Sequence, residues 1–177
     1  MKKIIVSTAL LGGLMGMALF IQTPVHAVDT NKTDANITVS GGGLNIDELG
    51  KIDFEAITLN GKDQTAKPVD PKVPALNVHD YRGKTGGWYL QANYETKEKS
   101  LGNGMTLHVN PSSDQGGIAA PTDLGTDAAT IYTLTTADLN NPDTTLTLNP
   151  TITVPKNTRA ATYTATIVWN VVEGAPV

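Results

Sequence analysis

The side chains with chemistry to offer are few and scattered. After residue 27 the chain holds two histidines, His79 and His108, each flanked by strand-forming residues. Neither belongs to a His-Glu-x-x-His motif or any cluster with metal-ligand spacing. A lone histidine can act as a base or ligand, but two unlinked ones point to no metal and no cofactor. Asp138-x-Asn140-x-x-Asp143, like Asp123 with Asp127, lacks the ligand density and closing glutamate of a calcium loop. Cysteine is absent, as are Gly-x-Ser-x-Gly and a phosphate-cradling loop. A glycan hydrolase needs two carboxylates across a cleft; acidic residues are plentiful, yet spacing singles out no pair. The residues read as non-enzymatic.

What does stand out is a polar turn that opens into a tryptophan strand. Asp80 and Arg82, followed by Gly83, read as an Asx-type turn pinned by an ion pair. Gly87 then leads into Trp88, Leu90 and Ala92 on one face of a strand, with Tyr89, Gln91 and Asn93 on the other. Near the C-terminus Tyr163, Ala165, Ile167, Trp169 and Val171 again share a face, opposite Thr162, Thr164, Thr166 and Asn170. Exposed indoles could stack on sugar. A sugar platform has polar neighbours on its own face, however, and both tryptophans have apolar ones. Both are therefore expected in the core, on adjacent strands, interlocked between opposed sheets, each indole N–H donating to a backbone carbonyl.

The elements that would position them are strands. Short strands are predicted at Ile37–Val39, Leu44–Ile46, Ala75–Val78, Met105–Val109, Thr130–Leu134, Leu146–Leu148 and Ile152–Val154. Between Lys51 and Leu59 the apolar phase slips, consistent with a β-bulge. Asn60–Pro74 and Asn110–Gly125, rich in Gly, Pro and charge, read as long loops and as candidate contact surfaces. No segment after residue 27 carries a 3.6-residue apolar stripe. The fold class is all-β: a single-domain, Ig-like, two-sheet β-sandwich spanning residues 37–177.

Residues 1–27 read as a helical signal peptide. Lys2 and Lys3 precede the apolar run Ile4–Ile21, and Val25-His26-Ala27 offers a cleavage site. Residues 28–36 form a polar lead-in. Cleavage leaves 150 of the 177 residues, with 11 basic against 17 acidic side chains and a net charge of −6. Such a chain suits neither nucleic acid nor an anionic membrane surface, and no membrane insertion is expected after cleavage. An exported domain without cysteine has no disulfide and no lipid-attachment site. The tail, Glu173 to Val177, has no Leu-Pro-x-Thr-Gly motif. If the protein stays at a cell surface, it is held there non-covalently.

Asp80-x-Arg82-Gly83 followed by Gly87-Trp88-Tyr89-Leu90-x-Ala92 resembles the proximal signature of the WxL domain of low-GC Gram-positive surface proteins. Ile152-Thr153-Val154-Pro155, Thr162-Tyr163 and Trp169 resemble the distal one, with Val171 where the family name calls for leucine. A packing role survives that change. The likeness covers nearly all of the chain after the signal peptide and implies non-covalent attachment to cell-wall peptidoglycan. It also implies assembly with companion WxL-cluster surface proteins, and a protein that reaches the wall only through such a companion is the alternative.

Overall fold

The computed structural model describes residues 35–70 and 75–176. The chain divides into two compact units, Met1–Ile37 and Thr38–Val177. Of the first only residues 35–37 are described, so the predicted signal peptide and most of the lead-in lie outside the described residues.

The strands of the second unit, in chain order, are β1 (Leu44–Ile46), β2 (Gln64–Ala66), β3 (Ala75–Asp80), β4 (Gly86–Tyr94), β5 (Thr106–Val109) and β6 (Ser112–Ser113). They continue with β7 (Ile118–Ala119), β8 (Thr122–Asp123), β9 (Ala129–Thr136), β10 (Asp143–Thr147), β11 (Thr151–Val154) and β12 (Ile167–Glu173). They form three four-stranded antiparallel sheets: β1-β3-β10-β6, β2-β11-β5-β8 and β12-β4-β9-β7. The sandwich holds, but with three sheets where two were expected.

The reason lies at Asn149, whose φ of 45° breaks the run from β10 into β11. The facing run, β5 into β6, breaks at Asn110 and Pro111. Asn149 Nδ2 donates to the Asn110 carbonyl at 3.1 Å, and Asn110 N donates to the Leu148 carbonyl at 3.0 Å. The first two sheets are thus successive halves of one bent layer. Apolar faces of all three sheets meet in a single core that includes Leu76, Val78, Trp88, Leu90, Leu107, Ile131, Tyr132, Leu146 and Ile152.

Period two explains most of this burial. Leu76, Val78 and Asp80 point inward from β3, and Trp88, Leu90, Ala92 and Tyr94 from β4. A bulge in β9 opposite Leu90 and Gln91 turns both Ile131 and Tyr132 into the core.

Several expectations fail. Ile37–Val39 is not a strand: Ile37 is 88% and Val39 84% exposed, and propensity without a pairing partner among the described residues does not make a ladder. Lys51–Leu59 forms no bulged strand; Phe54 makes only an isolated bridge with Pro68. The Asn60–Pro74 loop contains β2, with residues 71–74 outside the described set, and Asn110–Gly125 contains β6, β7 and β8. The last strand begins at Ile167, not Tyr163. Ile167 pairs with Tyr94, after which the chain turns at Lys97–Lys99, so the residues before Ile167 have no ladder to join.

Candidate functional site

β3 sends consecutive side chains to opposite sides of its sheet, and both sides carry polar clusters. Inward, Asp80 accepts from Arg82 Nε at 2.7 Å and Nη2 at 2.6 Å, a bidentate pair. Arg82 N donates to Asp80 Oδ1 at 3.3 Å, closing the predicted Asx turn. The guanidinium also donates to the Gly86 and Gly87 carbonyls at 2.8 and 3.3 Å. Nη1 lies 3.2 Å from Glu173 Oε1, an ion-pair distance without hydrogen-bond alignment, and Lys84 Nζ reaches the same oxygen at 3.2 Å. The Arg82 hydrogen bond holds the Asp80 carboxyl below the usual carboxylate range. Both partners of the pair are buried.

Gly83 takes φ of 67°, and a Cβ on Gly87 would overlap the Leu134 carbonyl oxygen. The predicted turn residues are therefore structural. Trp88 is fully buried against Tyr132, ring centroids 5.6 Å apart. Its buried Nε1 has no acceptor among the described residues, where a carbonyl bond was expected. Trp169 faces the same core from the outer strand of the same sheet, directly across from Ala92, and is only half-buried. The indoles thus sit on adjacent strands as expected, but they do not meet from opposed sheets. Leu90 is buried, Tyr89 and Val171 are half-buried, and Tyr163 donates to the Arg159 carbonyl at 2.7 Å.

Outward from β3 lies a cluster the sequence did not assemble. His79 Nδ1 is 2.7 Å from Asp143 Oδ1, and Nε2 is 3.1 Å from Asp47 Oδ1. Tyr81 stacks on the imidazole with centroids 5.8 Å apart and donates to Asp143 Oδ1 at 2.9 Å. Asn77 Nδ2 donates to Asp47 Oδ2 at 3.1 Å, and Thr145 Oγ1 to Asn77 Oδ1 at 3.1 Å. Gln115, from the predicted contact loop, donates to the Asp143 and Asn141 carbonyls.

The electrostatics follow from these bonds. His79 is raised above the usual histidine range by Asp143 first and Asp47 second. Asp143 is lowered by His79 and then Tyr81, and Asp47 by Asn77 and then His79. Tyr81 is raised by its bond to Asp143.

Both imidazole nitrogens face carboxylate oxygens. The ring fills the space between the carboxylates, and among the described residues no group of His, Asp and Glu is arranged to hold a metal ion. Asp138 accepts from Asn140 N at 2.9 Å in an Asx turn, while Asp143 turns to His79. His108 pairs with Asp123 at 2.8 Å, apart from this cluster. Tyr81 is 49% exposed and lies beside the carboxylates that hold the imidazole. Period two could have placed Asn77 and His79 outward together; nothing local could have brought Asp47 and Asp143 to them.

No protein-family model, curated protein or solved structure matches the chain. Among the described residues no helix is long and apolar enough to cross a membrane.

Proposed function

We propose that the chain is an exported, non-catalytic module that attaches non-covalently to the cell wall, with peptidoglycan glycan as its ligand. The outward face of β1, β3 and β10 is its contact surface. The observation that carries this reading is Tyr81: an exposed ring, stacked on His79, with acceptors from Asp47 and Asp143 on its own face. Aromatic faces stack on the apolar faces of sugar rings, while carboxylates accept from sugar hydroxyls. The resemblance of the Asp80–Ala92 and Ile152–Trp169 segments to WxL signatures supports the wall as the place where this surface works.

The test is retention on purified, protein-stripped sacculi. The mature chain sediments with them, and Tyr81→Ala, which removes an exposed ring, abolishes retention while the chain stays folded. Full retention of Tyr81→Ala would move the contact elsewhere, and release of soluble muropeptides would make the protein a hydrolase.

One observation favours a second reading. Ile37 and Val39 stand exposed just ahead of β1, with no strand partner among the described residues, the form of a segment that adds to a partner's sheet edge. On that reading sacculi retain the chain only when a companion surface protein is supplied.

A further inference from the structure

His79 is flanked by two acceptors. An ionised carboxylate only accepts, and a neutral imidazole donates from one nitrogen alone. The contacts to Asp143 at 2.7 Å and Asp47 at 3.1 Å are therefore both satisfied only by the doubly protonated ring. Take one proton away, and one nitrogen presents a lone pair to a carboxylate. The longer contact, to Asp47, is the one that gives, because Asp143 is also held in place by Tyr81.

Asp47 sits immediately after β1, at the free end of its ladder to β3. It is a three-residue outer strand, paired only with β3 among the described residues. Its neighbouring ties are Asp47 N to the Asn77 carbonyl at 3.0 Å and the paired bonds between Tyr81 and residues 42 and 43. β1 also lies against β12 at the edge of the sandwich, where Leu44 and Ile46 reach the same core as the half-buried Trp169 and Val171. Strands of this kind open locally at a fraction of the global free energy.

We propose that His79 is a proton-operated latch on β1: the protonated ring ties the end of β1 to β3 and β10, and its deprotonation frees β1 and bares the apolar edge at Trp169. The titratable groups facing the ring are Asp47 beyond β1, Asp143 on β10 and Tyr81 beyond β3, with Asn77 steadying Asp47. The raised histidine places the closed latch on the acid side. This device stands on the geometry of the cluster, whatever ligand the face takes.

Amide hydrogen exchange of the intact mature chain, corrected for intrinsic rates, tests it at pH 5.5 and pH 8.5. Protection of Asn45 and Asp47, whose amides face β3, is expected to fall about tenfold relative to the β4 amides as the pH rises, with a red shift in tryptophan emission that Trp169→Phe removes. In Asp47→Asn the side-chain amide can donate to the neutral ring, so the pH dependence disappears while β1 stays protected. Two results would overturn the latch: β1 protection that tracks β4 at both pH values, or a pH dependence that persists unchanged in Asp47→Asn. The unmodified chain alone suffices for the first, so the outcome does not hang on a variant folding.

Discussion

His79 and Asp80 are neighbours on β3 that serve opposite sides of one sheet. Asp80 enters the core and binds Arg82 in a buried bidentate pair; His79 leaves it and binds Asp143 and Asp47 on the surface. Two residues of the same short motif thus divide the work between holding the fold and presenting a face. Mutations on the two sides should separate accordingly.

The inward side should be unforgiving. Arg82→Ala leaves the Asp80 carboxylate buried without its partner, and Asp80→Asn takes from the buried guanidinium its bidentate carboxylate, leaving Glu173 and the Gly86 and Gly87 carbonyls. Each should cost about 3–5 kcal/mol, read from urea midpoints. Arg82→Lys should not rescue, because a point charge cannot reproduce the fork onto Asp80 while also reaching the Gly86 carbonyl. The double replacement Asp80→Leu with Arg82→Met should be milder than either single loss. Single variants within about 0.5 kcal/mol of the parent would remove the pair from the account of stability.

The two tryptophans should differ sharply. Trp88 is fully buried, so Trp88→Ala should cost about 3–5 kcal/mol. Trp88→Phe should cost about 1–2 kcal/mol, since the lost volume is partly offset by removing an indole N–H that has no acceptor among the described residues. Trp169→Ala, on a half-buried outer strand, should also cost about 1–2 kcal/mol. Equal costs for the two alanine variants would contradict the burial difference.

How far the sequence anticipates this depends on the range of the interactions. β3, β4, β5, β10 and β11 are legible because alternation along a strand is a local property. Ser112–Ser113, Ile118–Ala119 and Thr122–Asp123 are not, since two-residue strands exist only through β10, β9 and β5 lying beside them. Ile37–Val39 shows the converse, a strand composition without a partner. The Asp80–Arg82 turn was visible because its partners are two residues apart. The His79 cluster was hidden because its carboxylates lie 32 and 64 positions away.

Stability should peak on the acid side of neutrality. His79 is raised in the folded state, so its contribution is complete below the ordinary histidine value of about 6.5 and is lost as pH rises through the folded value. Asp47, Asp80 and Asp143 are lowered. Their contribution is complete above the ordinary aspartate value of about 3.9 and is lost as pH falls through the folded values. Urea midpoints should be highest between about pH 4 and pH 6.5 and decline toward pH 9, and His79→Gln should flatten the alkaline decline. The same decline in His79→Gln would assign it to another group.

Gly83 and Gly87 should fail in different ways when given a side chain. At Gly83 the space around a Cβ is open, and only the φ of 67° resists. Gly83→Ala should therefore cost about 1–2 kcal/mol, the strain of one residue held left-handed, and Gly83→Asn less, because asparagine tolerates that region. At Gly87 the obstacle is backbone: a Cβ would strike the Leu134 and Thr135 carbonyls of β9 and force the β4–β9 ladder apart. Gly87→Ala should cost more than about 3 kcal/mol, and Gly87→Asn should be no better, since the space and not the backbone angle is limiting. Urea midpoints for the four variants decide this. A Gly87→Ala chain as stable as Gly83→Ala would mean that β4 and β9 do not approach as closely as the structure has them.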